Sequence, residues 1–263
     1  MKKFVLSIAL SLWASLVTAQ ALEDINWLTE EYPPFNYKED GELKGIAVDF
    51  LVEIWKKLGV KKTKADIRLV PWARGVKTLE SQPNTCLFST TLTANRLNVR
   101  GWKFAYPIPR IREDSENQLI ARVDKNLSFN SVNDVLNYKG NFGVVRGDVG
   151  ASLLLDLGVG DHKLERTSEP KQLTLMLHAG RFDVASYSID AMQKAMNQEG
   201  IDPTLYENIY AFPLSPLGYA FHHNIHPKIL KKIQQAIDEL HAEGVAEEIV
   251  QRYMPTDTKT PMQ

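Results

Sequence analysis

Cysteine is nearly absent: the 263-residue chain has only Cys86. One thiol forms no intramolecular disulfide and assembles no cysteine-based zinc site. Histidine is sparse too, with six residues and none at HExxH or comparable ligand spacing. The adjacent His222 and His223 read as strand and loop surface rather than metal ligands, so no metal and no cofactor are expected. An excess of one charge is also lacking. Against 32 Asp and Glu stand 31 Lys and Arg, a net charge of −1 without the basic field that a nucleic-acid binder needs. Beyond the N-terminus no apolar run is long enough to span a membrane. The remaining composition, 44% hydrophobic and 24% charged, is that of a packed globular protein. The length allows one large domain or two small ones.

The one marked apolar run lies at the start. Lys2 and Lys3 precede an apolar stretch at residues 4–17, broken only by Ser7, Ser11 and Ser15. Thr18-Ala19-Gln20-Ala21 then supplies small residues where an exporting peptidase cuts, after Ala19 or Ala21. Residues 1–21 therefore read as a cleavable secretory signal peptide, and the run is short of the ~20 residues a membrane anchor needs. Its style suits export to the periplasm. An exported chain with one cysteine relies on packing rather than on staples.

Downstream, strand and helix patterns alternate. Residues 24–29 read as a strand, broken by the prolines of Glu31-Tyr32-Pro33-Pro34-Phe35. Asp40-Gly41 marks a turn, and residues 45–58 form an amphipathic helix stopped by Gly59. Strands follow at 66–70 and 85–90 with a helix at 72–81 between them, and residues from Leu92 to Phe104 read as loop. Residues 110–215 repeat the alternation. Strands fall at 118–122, 142–146 and 182–187; helices fall at 131–136, 149–157, 170–178 and 189–197. A strand at 219–222 and helices at 227–243 and 245–253, split by Gly244, close the chain before a polar tail. This is an α/β pattern with mostly parallel sheets. Proline-marked crossings near 107–117 and 211–217 divide it into a first lobe (22–108 plus 216–263) and a second (109–215). Two crossings make a hinge, and a hinged cleft suits a small ligand.

Several segments, in order, resemble bacterial solute-binding proteins of family 3. These are Glu31-Tyr32-Pro33-Pro34-Phe35 with Gly41 and Gly45-Ile46-Ala47-Val48-Asp49, then Ser89-Thr90-Thr91-Leu92-Thr93-Ala94-Asn95-Arg96. Phe104-Ala105-Tyr106-Pro107, Lys139-Gly140 before Arg146-Gly147-Asp148, and Ala179-Gly180-Arg181-Phe182-Asp183 continue the match, as do Gly218 to Phe221 and the last helix pair. The resemblance implies the two-lobed periplasmic binding protein type II fold with a central cleft.

It also implies roles. Tyr32 takes the position of an aromatic packed against the ligand, and gap-free matching puts the opposite aromatic wall at Trp72; both are also candidates for plain core residues. Arg96 takes the place of the arginine that forks onto a ligand carboxylate, which a lysine does not reproduce. Ser89 and Thr91 match the rest of that carboxylate cradle. Arg74, one step past Trp72, is a further residue for the cleft. Where the family presents Gly-Thr or Gly-Ser at a helix start, this chain has Gly147-Asp148; Asp148 is either a helix cap or a receiver of a ligand amine. The family's amine-holding carboxylate matches Ser188, with Asp190 two residues on. The amine anchor is thus moved to Asp148 or Asp190, or absent.

The resemblance implies a monomeric periplasmic protein, not an enzyme. It would capture a small polar, carboxylate-bearing solute such as an amino acid by hinge closure and pass it to the membrane subunits of an ABC importer, with no nucleic-acid partner. The alternatives are a cyclohexadienyl-type dehydratase on the same fold, which needs a general acid in the cleft, and a ligand-presenting partner of a membrane sensor.

Overall fold

The computed structural model describes residues 22–111, 117–213 and 215–254. The signal peptide and the polar tail expected from the sequence lie outside the described residues, as does part of the first crossing. β1 (Asn26–Thr29), β4 (Ile67–Leu69), β5 (Thr85–Thr91), β6 (Lys103–Ala105) and β12 (Leu217–Phe221) form one sheet in the order β4-β1-β5-β12-β6. β7 (Asn117–Arg122), β8 (Phe142–Val145), β9 (Leu164–Thr167), β10 (Val184–Ser188) and β11 (Tyr206–Ala211) form a second, β11-β7-β10-β8-β9. A hairpin of β2 (Tyr37–Glu39) and β3 (Glu42–Lys44) turns at Asp40-Gly41. The helices are α1 (Ile46–Leu58), α2 (Trp72–Ser81), α3 (Val132–Asn137), α4 (Val149–Leu157), α5 (Pro170–His178), α6 (Ile189–Gln198), α7 (Pro227–Ala242) and α8 (Val245–Tyr253).

The apolar runs explain the central strands. Every residue of β5, β8, β10 and β12 is buried, as expected for strands covered on both faces. α1 turns Ile46, Phe50, Leu51, Ile54 and Trp55 inward and stops at Gly59, whose φ of 70° suits a left-handed cap. Its Trp55 meets Trp27 of β1 edge-on at 5.5 Å, and Trp27 meets Phe221 of β12 at 5.9 Å. α7 and α8 return to pack on α1, with Tyr253 Oη donating to Asp49 at 2.8 Å. Gly45 is required at the entry to α1. Its φ is 127°, and a Cβ there would sit 2.3 Å from the Phe35 carbonyl oxygen.

Several expectations change. Both sheets are mixed rather than mostly parallel, because β12 runs antiparallel to β5 and β6, and β7 antiparallel to β10 and β11. These are strands that adjoin the crossings. The stretch after Leu92 is not all loop: Asn95–Val99 forms a π-helical turn, and β6 follows at the sheet edge. β9 and the β2–β3 hairpin lack a long apolar signal, since two of the four β9 residues, Glu165 and Arg166, are exposed. His222 is buried rather than surface, and its Nδ1 accepts from the Asn224 N–H at 3.1 Å.

Candidate ligand cleft

The parallel strands β1, β4, β5, β8, β9 and β10 all lead at their C-terminal ends into residues that converge where the two sheets face each other. Ligands in open α/β sheets bind at such ends.

Glu30 follows β1 directly. Its carbonyl oxygen accepts from Asn36 Nδ2, which fixes the backbone. Its carboxyl is buried, accepts no hydrogen bond and makes no ion pair among the described residues. Burial, then the charge of Asp148, push it well above the ordinary glutamate range, against the pull of Arg96.

At the end of β5 the chain carries a bulge. Phe88 pairs with Tyr219 and Thr90 with Gly218, so Ser89 has no opposite residue. Ser89 takes φ 58°, an uncommon conformation for a non-glycine residue. The bulge turns its side chain toward Asn36, to whose Oδ1 the hydroxyl donates. The Ser89 hydroxyl is thus engaged behind the Glu30 backbone rather than free to donate to a ligand carboxylate. Thr91 is buried, and its carbonyl accepts from Arg96 Nη1 at 2.8 Å.

Arg96 sits in the π-helical turn and is 6% exposed. Its guanidinium carbon lies 5.1 Å from the Trp72 ring centroid and 5.4 Å from that of Trp102. Burial lowers its pKa to about 10, offset by the charges of Asp148 and Glu30, so it remains a cation at neutral pH. Trp72 opens α2, and its Nε1 donates to the Gly147 carbonyl in the other lobe at 2.6 Å. The same ring packs with Leu28, Leu79 and Leu87, so Trp72 is at once core residue and cleft wall.

From the second sheet, Asp148 stands at the N-cap position of α4 but closes no side-chain capping hydrogen bond. The nearby Val149 and Gly150 N–H groups and Arg96 favour its ionised form; burial outweighs them and raises its pKa. Gly150 brings α4 hard against β10, for a Cβ there would lie 2.8 Å from the Ser186 carbonyl oxygen. Tyr187 of β10 meets Tyr32 edge-on at 5.3 Å across the cleft, while Tyr32 stacks on Phe35 at 5.3 Å. The Tyr187 hydroxyl is buried with no hydrogen-bond partner among the described residues, and burial with the Glu30 charge raises its pKa.

The structure therefore gathers Tyr32, Trp72, Arg96 and Asp148, with Ser89 and Thr91 behind them. It does not gather Arg74, which is exposed and makes no side-chain hydrogen bond or ion pair among the described residues. Ser188 is fully buried, its Oγ accepting from the Ala191 N–H as the cap of α6; Asp190 is half-buried in the first turn. The family motifs in the sequence do not point to Glu30 or Tyr187. The available signal was polar residues at the C-terminal end of apolar strands.

A cavity of about 290 Å³ opens beside this cluster, lined from one side by Glu30, Val70 and Trp72 and from the other by Ser168, Glu169 and Lys171. A larger one, about 690 Å³, lies behind the crossings among Pro107, Ile108, Ile111, Pro216 and Val250. Of the cluster, Glu30 and Trp72 line the smaller cavity, whereas no buried charged group lines the larger one, so the site is placed at the smaller. No group of three or more His, Cys, Asp or Glu among the described residues is arranged to hold a metal.

Residues 25–256 match the family described as bacterial extracellular solute-binding proteins, family 3. The chain belongs to this family. A relative in Bacillus subtilis (strain 168), the "Probable amino-acid-binding protein YxeM", is 26% identical over 98% of this chain and 97% of its own length. Among solved structures, a histidine kinase sensor domain similar to periplasmic binding proteins superimposes with a TM-score of 0.72 at 18% identity, covering 88% of this chain and 96% of that one. ArtJ, the arginine-, lysine-, histidine-binding protein of Geobacillus stearothermophilus, gives 0.70 at 16% identity, covering 90% and 97%. At such identities the structures show the fold: the two-lobed type II architecture of this solute-binding family. Among the described residues no helix is long and apolar enough to cross a membrane.

Proposed function

We propose that this solute-binding protein captures a small carboxylate-bearing solute of the amino-acid type in the cleft between its sheets. The observation that carries this reading is Arg96. It is buried between two indole rings with one nitrogen spent on Thr91 O, and its other guanidinium donors make no hydrogen bond among the described residues. A buried guanidinium with spare, coplanar donors fits a carboxylate. The amino-acid-binding name of the B. subtilis relative supports the same class. On this reading the lobes are residues 22–108 plus 216–263 and 109–215. They close about the crossings, and the closed form delivers the solute to an ABC importer. Residues 1–21 direct export to the periplasm, the protein works as a monomer, and the cleft binds without catalysis.

A thermal-shift and calorimetry screen of the mature protein with the L-amino acids and small dicarboxylates tests this. Hits raise the melting midpoint, since a ligand that binds only the folded state stabilises it. Arg96→Ala should remove the shift, and Arg96→Lys should recover little of it. Undiminished binding by Arg96→Ala overturns the carboxylate assignment.

A further inference from the structure

Of the two indoles against Arg96, Trp72 lines the cavity of about 290 Å³ and Trp102 does not. Trp102 is buried between the π-helical turn and β6. Two contacts tie it to Arg96. Its backbone N–H donates to the Arg96 carbonyl at 2.9 Å, and its ring centroid lies 5.4 Å from the Arg96 guanidinium carbon. A second guanidinium, that of Arg100, lies 5.4 Å from the same ring and pairs with Glu80 of α2 at 2.7 Å. The indole carries a cost. Its Nε1–H is buried with no hydrogen-bond partner among the described residues, and a buried donor left unpaired is destabilising. The surrounding apolar cluster, with Leu79, Leu87 and Phe104, accounts for an aromatic ring here but not for that donor. What an indole adds over a phenyl ring is a stronger cation-attracting face. Arg96 has need of such a face. Its long side chain makes one hydrogen bond, to Thr91 O, and no ion pair among the described residues, so ring contact is what restricts its rotamers.

We propose, resting on the carboxylate reading of Arg96, that Trp102 is a positioning residue: its indole fixes the Arg96 guanidinium before the solute arrives, and carboxylate affinity depends on it although Trp102 does not touch the solute. The indole acts in two ways. It attracts the cation and so offsets part of the cost of burying it. It also orders the side chain in advance, so that binding does not have to restrict it. The effect follows the ring's attraction for a cation: greatest for tryptophan, smaller for phenylalanine and absent for leucine.

The test uses the mature protein and titration calorimetry. The probes are the L-amino acids and, for each that binds, its carboxamide, which keeps the rest of the molecule and replaces the carboxylate with a neutral amide. The parent should prefer the carboxylate. Trp102→Leu should weaken the carboxylate by about tenfold and the carboxamide little, so the preference shrinks. Trp102→Phe should fall between, and it carries the comparison if Trp102→Leu does not fold. A purely structural Trp102 would weaken both probes alike and leave their ratio unchanged, which overturns the proposal. Arg96→Ala separates the two readings. If it abolishes the preference while Trp102→Leu keeps it, the carboxylate reading stands and the positioning role falls. If Arg96→Ala keeps the preference, both fall. Nuclear magnetic resonance of the unliganded protein reads the same contact without a solute. The ring currents of the two indoles set the position of the Arg96 Nε–H signal, and Trp102→Leu should move it toward that of an exposed arginine. A signal unmoved by Trp102→Leu, or by Trp102→Phe where the leucine variant does not fold, overturns the proposal even if no probe binds.

Discussion

The Glu30 carboxyl is buried beside Asp148, and both facts penalise its ionised form. The groups facing it are Asp148, Arg96, Glu31 and Tyr187, of which only Arg96 favours the anion. Its proton is therefore held more tightly in the folded chain than in the unfolded one. Where the native state binds more protons, stability falls as pH rises. In the unliganded protein this loss spans the window from the ordinary glutamate value up to the raised folded one. Asp148 adds to it with the same sign. Glu30→Gln removes the penalty, so its unliganded melting temperature at neutral pH should exceed the parent's. A gain of about 1 kcal/mol corresponds to about 2–4 °C in a chain of this size. Differential scanning calorimetry at pH 4 and pH 8 checks the sign: the gap between variant and parent should widen at the higher pH. A variant that melts lower at pH 8 contradicts it.

Elements were legible in the sequence in proportion to their apolar periodicity. α1, α2, α4, α5, α7 and α8 carry clear stripes and glycine or proline boundaries, and they fall within a residue or two of their expected limits. β6 has three residues and β9 has two exposed charges out of four, so neither offers a pattern to read. The site divides similarly. Arg96, Tyr32 and Asp148 are legible through motif spacing. Glu30 stands beside Glu31 and before two prolines, a local pattern shared with solvated loops, and only three-dimensional closure buries it. The Ser89 bulge depends on the register with β12, more than a hundred residues away in sequence, and no local signal announces it. At this scale the entry to α1 gives a direct test. Gly45→Ala places a methyl group against the Phe35 carbonyl and forces a backbone conformation that glycine alone adopts readily. The conformational penalty alone is about 1–3 kcal/mol. Urea denaturation should show a lower midpoint with an unchanged slope. An unaltered midpoint would mean that the Phe35 backbone yields at little cost.

The whole molecule is two sheets joined by two crossings, and among the described residues a few polar contacts reach across the cleft. One is the Trp72 indole on the Gly147 carbonyl; another is Lys194 of α6, which lies 5.0 Å from the Tyr37 ring centroid on the hairpin. Trp72→Phe keeps an aromatic wall beside Arg96 and deletes the donor. A hydrogen bond of this kind contributes about 0.5–1.5 kcal/mol, so solute affinity should weaken by about 2- to 10-fold under hinge closure, with the melting of the unliganded protein nearly unchanged. Titration calorimetry beside a thermal melt reads both. A large fall in melting temperature with intact affinity would instead assign Trp72 to the core alone.

The insertion of β12 between β5 and β6 also sets an order of events in time. Every strand of the second sheet comes from residues between Asn117 and Ala211, so that sheet can assemble from one continuous stretch. The first sheet stays split, with β6 lacking its neighbour, until residues 217–221 arrive. Loop closure over that separation is slow compared with local pairing. The second lobe should thus gain amide protection first in pulse-labelled refolding. β1, β5 and β6 should follow together once the chain has come back.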